Sequence, residues 1–269
     1  MKMIYNVTYS VQSKGDHGMD ITQTFYDDLA SQYDKLFLDW QSTVREQAEL
    51  LDRLFRAEGF DCRASVLDCA CGIGTQCIGL AALGYNVTAS DISDAELAQA
   101  KKRAAENKVI LRFAHADFRF LSETFDERFD IVIAMDNALP HMLTEYDLEA
   151  AVRSITDRVA PDGIFVASIR DYDALLEKKP PYSPPYIHQT DKGQRVSFQT
   201  WNWNGDNYRL VQYIIDDEGT PAASRFECEY RATRRDELTH LLAENGFREV
   251  KWCFPEETGF YQPIAIARK

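Results

Sequence analysis

The chain has 269 residues, 45% of them hydrophobic, and a formal net charge of -13 at pH 7. This length and composition can bury one large core, or one core with a sizeable insertion. Because an acidic surface repels phosphates and the sequence has no dense Lys/Arg run, we expect a small-molecule substrate and no nucleic-acid partner. No apolar stretch approaches membrane-spanning length and the start lacks a signal-peptide core, so we expect a cytoplasmic protein without a membrane partner.

The six cysteines indicate neither disulfides nor a metal site. A chain of this size needs no disulfide to fold, which fits a reducing compartment. None of the cysteine spacings is Cys-x-x-Cys, so we predict no metal and interpret Cys69, Cys71 and Cys77 as small buried residues beside a tight turn. The assembly is expected to be a monomer or a small homo-oligomer.

The amino-terminal region is predicted to be helical after a leader. Residues 1–21 show weak alternation and then polar residues, and flexibility is one interpretation of this leader. From Thr22 two segments have helical spacing, the second over residues 42–57. Four aromatic residues are concentrated here, namely Tyr26, Tyr33, Phe37 and Trp40. Core packing is the simpler interpretation of these rings, and a lid over the following turn is the alternative.

A glycine turn follows at residues 65–75. A short apolar run ends at Asp68, small residues lead to Gly72 and Gly74, and a helical pattern begins at Thr75. This is typical of a buried strand that turns sharply into a helix. The glycines let the backbone approach a ligand, and the free N–H groups of a helix start suit a nucleotide-type ligand. Because no lysine follows the last glycine, a P-loop that hydrolyses triphosphates is not expected.

The second predicted strand ends in Asp91, nineteen positions after Gly72. In a βαβ unit this spacing places a carboxylate beside the glycine turn, where it can accept both hydroxyls of a ribose. The alternative role for Asp91 is to cap the next helix, predicted over residues 94–107. Ser93 can cap that helix instead, so we favour ribose binding.

Two further strands are predicted over residues 109–114 and 129–135. After the first, Asp117 could accept hydrogen bonds from an exocyclic amine such as that of adenine, and Phe118 could contribute packing or its backbone. Asn137 and His141 follow the second strand and are candidates by position, since ligands bind at strand ends of open α/β sheets. A surface or merely hydrogen-bonded histidine is the alternative for His141.

A fifth strand delivers Arg170 and Tyr172 to the same edge. Residues 171–232 then combine a proline cluster with alternating segments separated by turns, which predicts an inserted antiparallel β-rich substrate cap. The α/β pattern resumes over residues 233–269 with a helix and two strands. The predicted organisation is therefore an α/β core, formed by 22–170 and 233–269, that carries an amino-terminal helical lid and the cap.

Four features together resemble the class I S-adenosylmethionine-dependent methyltransferases: Asp68-x-Ala-Cys-Gly-x-Gly-Thr, the acidic strand end at Asp91, Asp117 after the third strand, and the Pro-Gly turn before the fifth. The resemblance covers most of the chain from Thr22. It implies a Rossmann-like, seven-stranded, mostly parallel sheet and S-adenosyl-L-methionine as the cofactor. A dinucleotide oxidoreductase is the main rival, but the third glycine of its motif would fall at Cys77.

Three phrases are similar to glycine/sarcosine N-methyltransferases of betaine synthesis: Phe25-Tyr-Asp-Asp-Leu-Ala, Leu67-Asp-Cys-Ala-Cys-Gly-Ile-Gly-Thr-Gln and Ile169-Arg-Asp-Tyr-Asp. This resemblance implies N-methylation of a small amino acid such as glycine or sarcosine. It assigns cofactor contacts to Tyr33, Trp40, Arg45, Asp68, Ala70, Gly72, Gly74, Asp91, Ile92, Asp117, Phe118 and Met135. Within that set, Arg45 would hold the cofactor carboxylate and Met135 would lie beside the sulfonium. It assigns the acceptor side to Asn137, His141, Arg170 and Tyr172.

Methyl transfer from a sulfonium is an in-line displacement, so the site has to align a neutral amine and exclude water. A neighbouring positive charge and burial both lower an amine's pKa, so a strong protein base is not required. We assign catalytic roles to His141, which could accept a proton through water, and to Tyr33, which could hold the methyl group or the cofactor. Arg170 suits a carboxylate, and a salt bridge to Asp171 or Asp173 is its alternative role.

Two other functions stay open at this point. One is methylation of another small amine, acid or hydroxyl compound with the same core. The other is cofactor binding without turnover, as in a sensor or an assembly partner. The preferred acceptor and the number of methyl groups added are not indicated by the sequence.

Overall fold

The structure is a computed structural model that describes residues 21–190, 193–217 and 222–269. The predicted leader, apart from its last residue, lies outside the described residues. The helices are α1 (Ile21–Leu29), α2 (Trp40–Ala57), α3 (Thr75–Ala82), α4 (Asp94–Glu106), α5 (Glu145–Arg158), α6 (Tyr172–Lys178), α7 (Arg235–Glu244) and α8 (Pro255–Thr258). Short 3-10 helices are formed by Tyr33–Leu36, Phe118–Glu123 and Leu139–His141.

The strands form two sheets. They are β1 (Ser65–Asp68), β2 (Asn86–Asp91), β3 (Arg112–His115), β4 (Phe129–Ala134), β5 (Val159–Ser168), β6 (Tyr186–Thr190), β7 (Gly193–Asn204), β8 (Asn207–Asp216), β9 (Ala222–Arg231), β10 (Glu249–Cys253) and β11 (Ile264–Arg268). The larger sheet has the order β10-β11-β5-β4-β1-β2-β3, and the smaller one the order β6-β7-β8-β9. In the larger sheet only β11 runs antiparallel to its neighbours. The predicted Rossmann-like, mostly parallel, seven-stranded sheet is confirmed.

Both faces of the central strands are buried, which explains their nearly continuous apolar sequences. Alternate residues of β4 pack into different clusters: Val132 joins one cluster, whereas Ile131 and Ile133 join the other. The first cluster continues into the smaller sheet through Tyr208 and Leu210 of β8. The core and the cap therefore share apolar packing.

The amino-terminal helices are attached closely to the glycine turn. Asp39 accepts hydrogen bonds from the N–H groups of Gln41 and Ser42, which starts α2 at Trp40. In α3, a Cβ atom added to Gly79 would lie 2.6 Å from the Cβ of Ala48. Close packing of α2 on α3 thus fixes the segment before α2 next to the start of α3.

The smaller sheet is antiparallel and lies between β5 and α7 in the sequence. The alternating segments of the predicted cap correspond to β7, β8 and β9. The sequence did not indicate α6 or β6. Helix α6 is short and capped by Asp171, and β6 is an edge strand without the buried alternation that marks the other strands. Strand β5 begins at Val159, so the predicted turn at 160–163 lies within it.

Within the described ranges, no helix combines the length and the apolar composition that a membrane span requires.

Candidate active site

A cavity of about 730 Å³ opens at the carboxyl ends of β1, β2 and β4. The strand order reverses between β1 and β4, and doubly wound sheets bind ligands at this point. The predicted site residues that line the cavity are Tyr33, Ala70, Gly72, Asp91, Ile92, Asp117, Phe118, Met135 and His141. The tertiary structure thus brings together residues that follow β1, β2, β3 and β4 and a residue of the amino-terminal lid.

Gly72 keeps the floor of the cavity open. Its φ is +50°, and a Cβ atom there would lie 2.8 Å from Oε2 of Glu96. Gly74 does not line the cavity; it has a φ of +97° and begins α3. Asp68 is buried outside the lining, where it accepts a hydrogen bond from the N–H of Ala70 at 3.4 Å. Gly74 and Asp68 therefore shape the turn, while Gly72 faces the ligand space.

Asp91 is held firmly at the cavity wall. One carboxylate oxygen accepts from the N–H of Gly72 at 2.8 Å, and the other accepts from the N–H of Ser93 at 2.9 Å. Ser93 caps α4, because its hydroxyl accepts from the N–H of Glu96 at 3.0 Å. Burial raises the pKa of Asp91, although these N–H groups act in the opposite direction. A carboxylate in this position still has lone pairs that can accept hydroxyl donors.

Asp117 and Phe118 line the part of the cavity next to β3. Asp117 accepts from the N–H of Arg119 at 2.8 Å and from its Nε atom at 2.8 Å. The carboxylate is therefore fixed by a guanidinium. An adenine amine would have to share it with Arg119.

The lid residues divide into two groups. Tyr33 lines the cavity together with Tyr26. Trp40 lies behind the lining: it is 6% exposed, its indole donates to Oγ1 of Thr75 at 3.1 Å, and the Arg103 guanidinium lies 4.4 Å from its ring centre. Trp40 therefore supports the wall through Thr75 and does not form part of it.

The position of Arg45 differs from the expectation that it holds the cofactor carboxylate. It lies on the exposed side of α2, and its guanidinium donates to the hydroxyl of Ser42 at 2.9 Å. The preceding residue, Val44, is the one that faces the core. One residue is about 100° of rotation on a helix, so Arg45 points away from the cavity. In this position Arg45 does not reach a ligand in the cavity.

His141 connects the cavity to the smaller sheet. Its Nε2 is hydrogen-bonded to the hydroxyl of Tyr26 at 2.8 Å, and its ring lies 4.1 Å from that of Tyr230. The enclosure of Tyr26 raises its pKa well above the ordinary value, so the phenol keeps its proton. From the sequence, core packing and a lid were the alternatives for Tyr26, and its hydrogen bond to His141 was not predicted, because helical spacing is equally typical of a core residue.

Arg170 is enclosed by neutral groups of the smaller sheet. Its guanidinium donates to the hydroxyl of Tyr208 at 2.7 Å and to Oε1 of Gln199 at 3.1 Å. It also lies over the rings of Trp201 and Tyr230, at 5.2 and 5.3 Å from their centres. These partners were not predicted, since they come from separate strands of the cap and nothing in the sequence indicates their register.

The alternative role for Arg170, a salt bridge to its neighbours, is not seen. Asp171 and Asp173 instead pair with Arg235. Among the residues that the structure describes, no carboxylate lies within ion-pair distance of Arg170. Tyr172 is fully buried, and its hydroxyl lies 2.9 Å from that of Tyr208. Tyr172 therefore positions a partner of Arg170 and does not line the cavity.

The end of β4 is held in an unusual backbone conformation. Asp136 and Asn137 have φ values of +55° and +70°, which cost energy for residues with side chains. Asn137 is buried outside the lining, and its Oδ1 accepts from the N–H of Arg170 at 3.0 Å. Asp136 lines the cavity and accepts from Nε2 of Gln76 at 2.8 Å. The strained turn thereby links the cavity to Arg170.

Carboxyl groups predominate in the cavity lining. Four line it, from Asp91, Glu96, Asp117 and Asp136, and Arg119 supplies a guanidinium. S-adenosylmethionine carries a sulfonium and an ammonium group, so a lining rich in carboxyl oxygens fits it. The open floor at Gly72 and the carboxylate of Asp91 fit a nucleoside as well. Within the described ranges no cluster of three His, Cys, Asp or Glu side chains could hold a metal ion.

Comparisons with known proteins agree with this geometry. Residues 66–163 match a protein-family model described as a methyltransferase domain. Glycine/sarcosine N-methyltransferase of Parasynechococcus marenigrum (strain WH8102) is 32% identical over 254 residues, which cover 92% of this chain and 85% of the relative. The enzyme of that name from Aphanothece halophytica is 25% identical over 252 residues, with coverage of 89% and 88%.

Solved structures show the same fold. An S-adenosylmethionine-dependent methyltransferase from Clostridium acetobutylicum ATCC 824 superposes with a TM-score of 0.71 at 17% identity, covering 90% of this chain and 98% of its own. The CcbJ methyltransferase from Streptomyces caelestis superposes with a TM-score of 0.73 at 18% identity, covering 93% and 98%. The chain is therefore a class I S-adenosylmethionine-dependent methyltransferase, and it belongs to the family that includes the glycine/sarcosine N-methyltransferases.

Proposed function

We propose that this methyltransferase transfers the methyl group to the amine of a small amino acid, with glycine or sarcosine as the acceptor. The observation that carries the proposal is Arg170, whose guanidinium has no carboxylate partner among the described residues. Arg170 is half-buried, and a partly enclosed cation that lacks an anion is costly; a substrate carboxylate would offset that cost. A planar guanidinium also suits a carboxylate in two-pronged geometry.

The position of Arg170, which shares a neighbouring ring with the cavity residue His141, favours a small acceptor. Tyr230 contacts both sides: its ring lies 5.3 Å from the Arg170 guanidinium and 4.1 Å from the His141 ring. His141 lines the cavity, whereas Arg170 does not. A short zwitterion can therefore keep its carboxylate at Arg170 while its amine faces the cavity.

The residues around His141 can orient an acceptor amine and accept its proton. S-adenosylmethionine supplies a methyl group on a positively charged sulfur. The Tyr26 hydroxyl and Nε2 of His141, 2.8 Å apart, offer hydrogen-bonding groups that can orient the lone pair of the acceptor nitrogen. Tyr33 and Met142 help to enclose the space and exclude water. His141 can take the released proton through water, as proposed from the sequence.

Several narrower expectations belong to the same proposal. Adenine binding by Asp117 and Phe118, ribose binding by Asp91 and a sulfonium contact by Met135 are consistent with their places in the lining. The glycine/sarcosine names of two relatives support the choice of acceptor. Cytoplasmic location and a place in betaine synthesis remain part of the proposal, as does a monomer or small homo-oligomer.

The test is an acceptor panel with methyl-labelled S-adenosylmethionine. We expect labelled product and S-adenosylhomocysteine with glycine or sarcosine, and much less with glycinamide, which has the same amine but no carboxylate. Equal rates for glycine and glycinamide would show that Arg170 does not recognise a carboxylate. Turnover only with other amines, acids or alcohols would move the enzyme to another substrate class. Binding of the methyl donor without any product would indicate a non-catalytic protein.

A further inference from the structure

Glu96 is a cavity residue to which none of the roles above has been assigned. It lies in the first turn of α4, is 1% exposed, and lines the cavity. Within the described residues its Oε1 atom has no hydrogen-bond partner. Its other carboxyl oxygen lies next to the open floor at Gly72, 2.8 Å from where a Cβ atom would be. The carboxyl group is therefore buried, unsatisfied and directed to the ligand space.

The surrounding charges do not satisfy this group. Asp91 of β2 and Asp27 of α1 face it and, together with burial, raise its pKa, whereas Arg103 of α4 acts in the opposite direction. The tyrosines that face it, Tyr26 and Tyr33, are also near enough to interact electrostatically. The Arg103 guanidinium pairs with Asp34 at 3.2 Å and lies over the ring of Trp40, and among the described residues its Nε has no hydrogen-bond partner, Glu96 included. Glu96 thus needs a hydrogen-bond donor that these residues do not supply.

The neighbouring carboxylate differs in this respect. Both oxygens of Asp91 accept backbone N–H groups, at 2.8 and 2.9 Å, so its position is fixed without a ligand. Among the described residues no group donates a hydrogen bond to Oε1 of Glu96. The carboxyl groups of Asp91, at the end of β2, and of Glu96, in the first turn of α4, can share the two hydroxyl donors of a ribose.

We infer that Glu96 is a nucleoside-binding residue, whose carboxyl group accepts a hydrogen bond from one ribose hydroxyl of the methyl donor. The inference rests on the ribose lying at the end of β2. It does not depend on the acceptor, so it can fail or succeed independently of the glycine or sarcosine assignment.

The experiment measures affinity for S-adenosylhomocysteine and for its 2′-deoxy and 3′-deoxy forms by calorimetry. For the wild type, removal of the hydroxyl that Glu96 binds should weaken affinity about tenfold, as expected for a hydrogen bond to a carboxyl group. Glu96→Met, which has a side chain of similar length without an acceptor oxygen, should bind the full ligand about tenfold more weakly. It should then lose little more when that hydroxyl is removed.

Two further variants keep the result decisive. Asp94→Asn removes the same charge from the first turn of α4 at an exposed position and should change none of the affinities. Glu96→Gln keeps an acceptor oxygen and should restore part of the affinity that Glu96→Met loses. If Glu96→Met does not fold, a smaller penalty for the missing hydroxyl in Glu96→Gln than in the wild type supports the inference. Equal penalties for both deoxy ligands in the wild type and the variants would overturn it.

Discussion

Replacement of Gly72 by alanine tests whether the open floor of the cavity serves ligand binding. The backbone at Gly72 is left-handed, with φ at +50°, which costs an L-residue about 1–2 kcal/mol. The new methyl group would also lie 2.8 Å from Oε2 of Glu96, so this buried side chain has to move. Overpacking of this kind costs about 1–3 kcal/mol.

Gly84→Ala is the matched control. Gly84 has a φ of +95°, but the nearest atom to an added Cβ is the Cβ of Cys62 at 3.9 Å, and Gly84 does not line the cavity. Alanine at position 84 therefore has the same left-handed backbone strain as alanine at position 72, but no close contact of its methyl group. Both variants should lose stability, by about 1–2 kcal/mol for the strain alone.

Calorimetry and chemical denaturation separate the two effects. Gly72→Ala should raise the Kd for S-adenosylmethionine about 5- to 150-fold, or about 1–3 kcal/mol, because the added methyl group and the displaced Glu96 side chain take up ligand space. Gly84→Ala should leave that Kd unchanged. If Gly84→Ala weakened binding as much as Gly72→Ala, or if Gly72→Ala bound normally, the floor of the cavity would not be where the ligand lies.

Four further predictions follow from the site. Arg170→Lys should raise the KM for glycine at least about tenfold and leave the KM for S-adenosylmethionine nearly unchanged, because an ammonium lacks the planar fork; steady-state kinetics with each substrate varied would detect this. Arg45→Ala should leave both KM values unchanged, and a clear rise in the KM for S-adenosylmethionine would restore its sequence-based role. Tyr26→Phe removes the hydrogen bond to His141 and should lower kcat about tenfold or more with a smaller change in either KM, measured in the same assay. Burial raises the folded-state pKa of Glu96 above its unfolded value of about 4.3, so the neutral carboxyl group contributes its full stability below that pH and this stability is lost as the pH rises through the folded-state pKa. In urea denaturation, Glu96→Gln should therefore stabilise the ligand-free protein at pH 7 but not near pH 4. Equal effects at both pH values would contradict this.

Local patterns were sufficient for the elements that surround the glycine turn. Helix α2 was predicted over 42–57 and begins at Trp40, and β2 ends at Asp91 as expected. Parallel central strands have long apolar runs that differ clearly from amphipathic helices, so each element could be recognised from its own residues. Helix α6 and edge strand β6 have no such pattern, because few of their residues face the core.

Side-chain hydrogen bonds between residues far apart in the sequence could not be predicted from local patterns. Arg170 meets Tyr208, 38 residues further along, because β8 has one particular register in an antiparallel sheet. A one-residue slip would direct that tyrosine to the other face, and the alternating sequence alone does not exclude it. The same reasoning applies to Tyr26 and His141, which are 115 residues apart.

The sequence by itself determined the fold class, the glycine turn and the polar residues at the strand ends, since these depend on local conformation and on a regular βα alternation. Only the tertiary structure decided which side chains face the shared cavity. It turned Arg45 to solvent and brought Glu96 to Gly72, although both are charged residues on regular helices. The physical reason is that the helix rotation and the packing of neighbouring elements set the direction of a side chain, and both depend on contacts between distant parts of the chain.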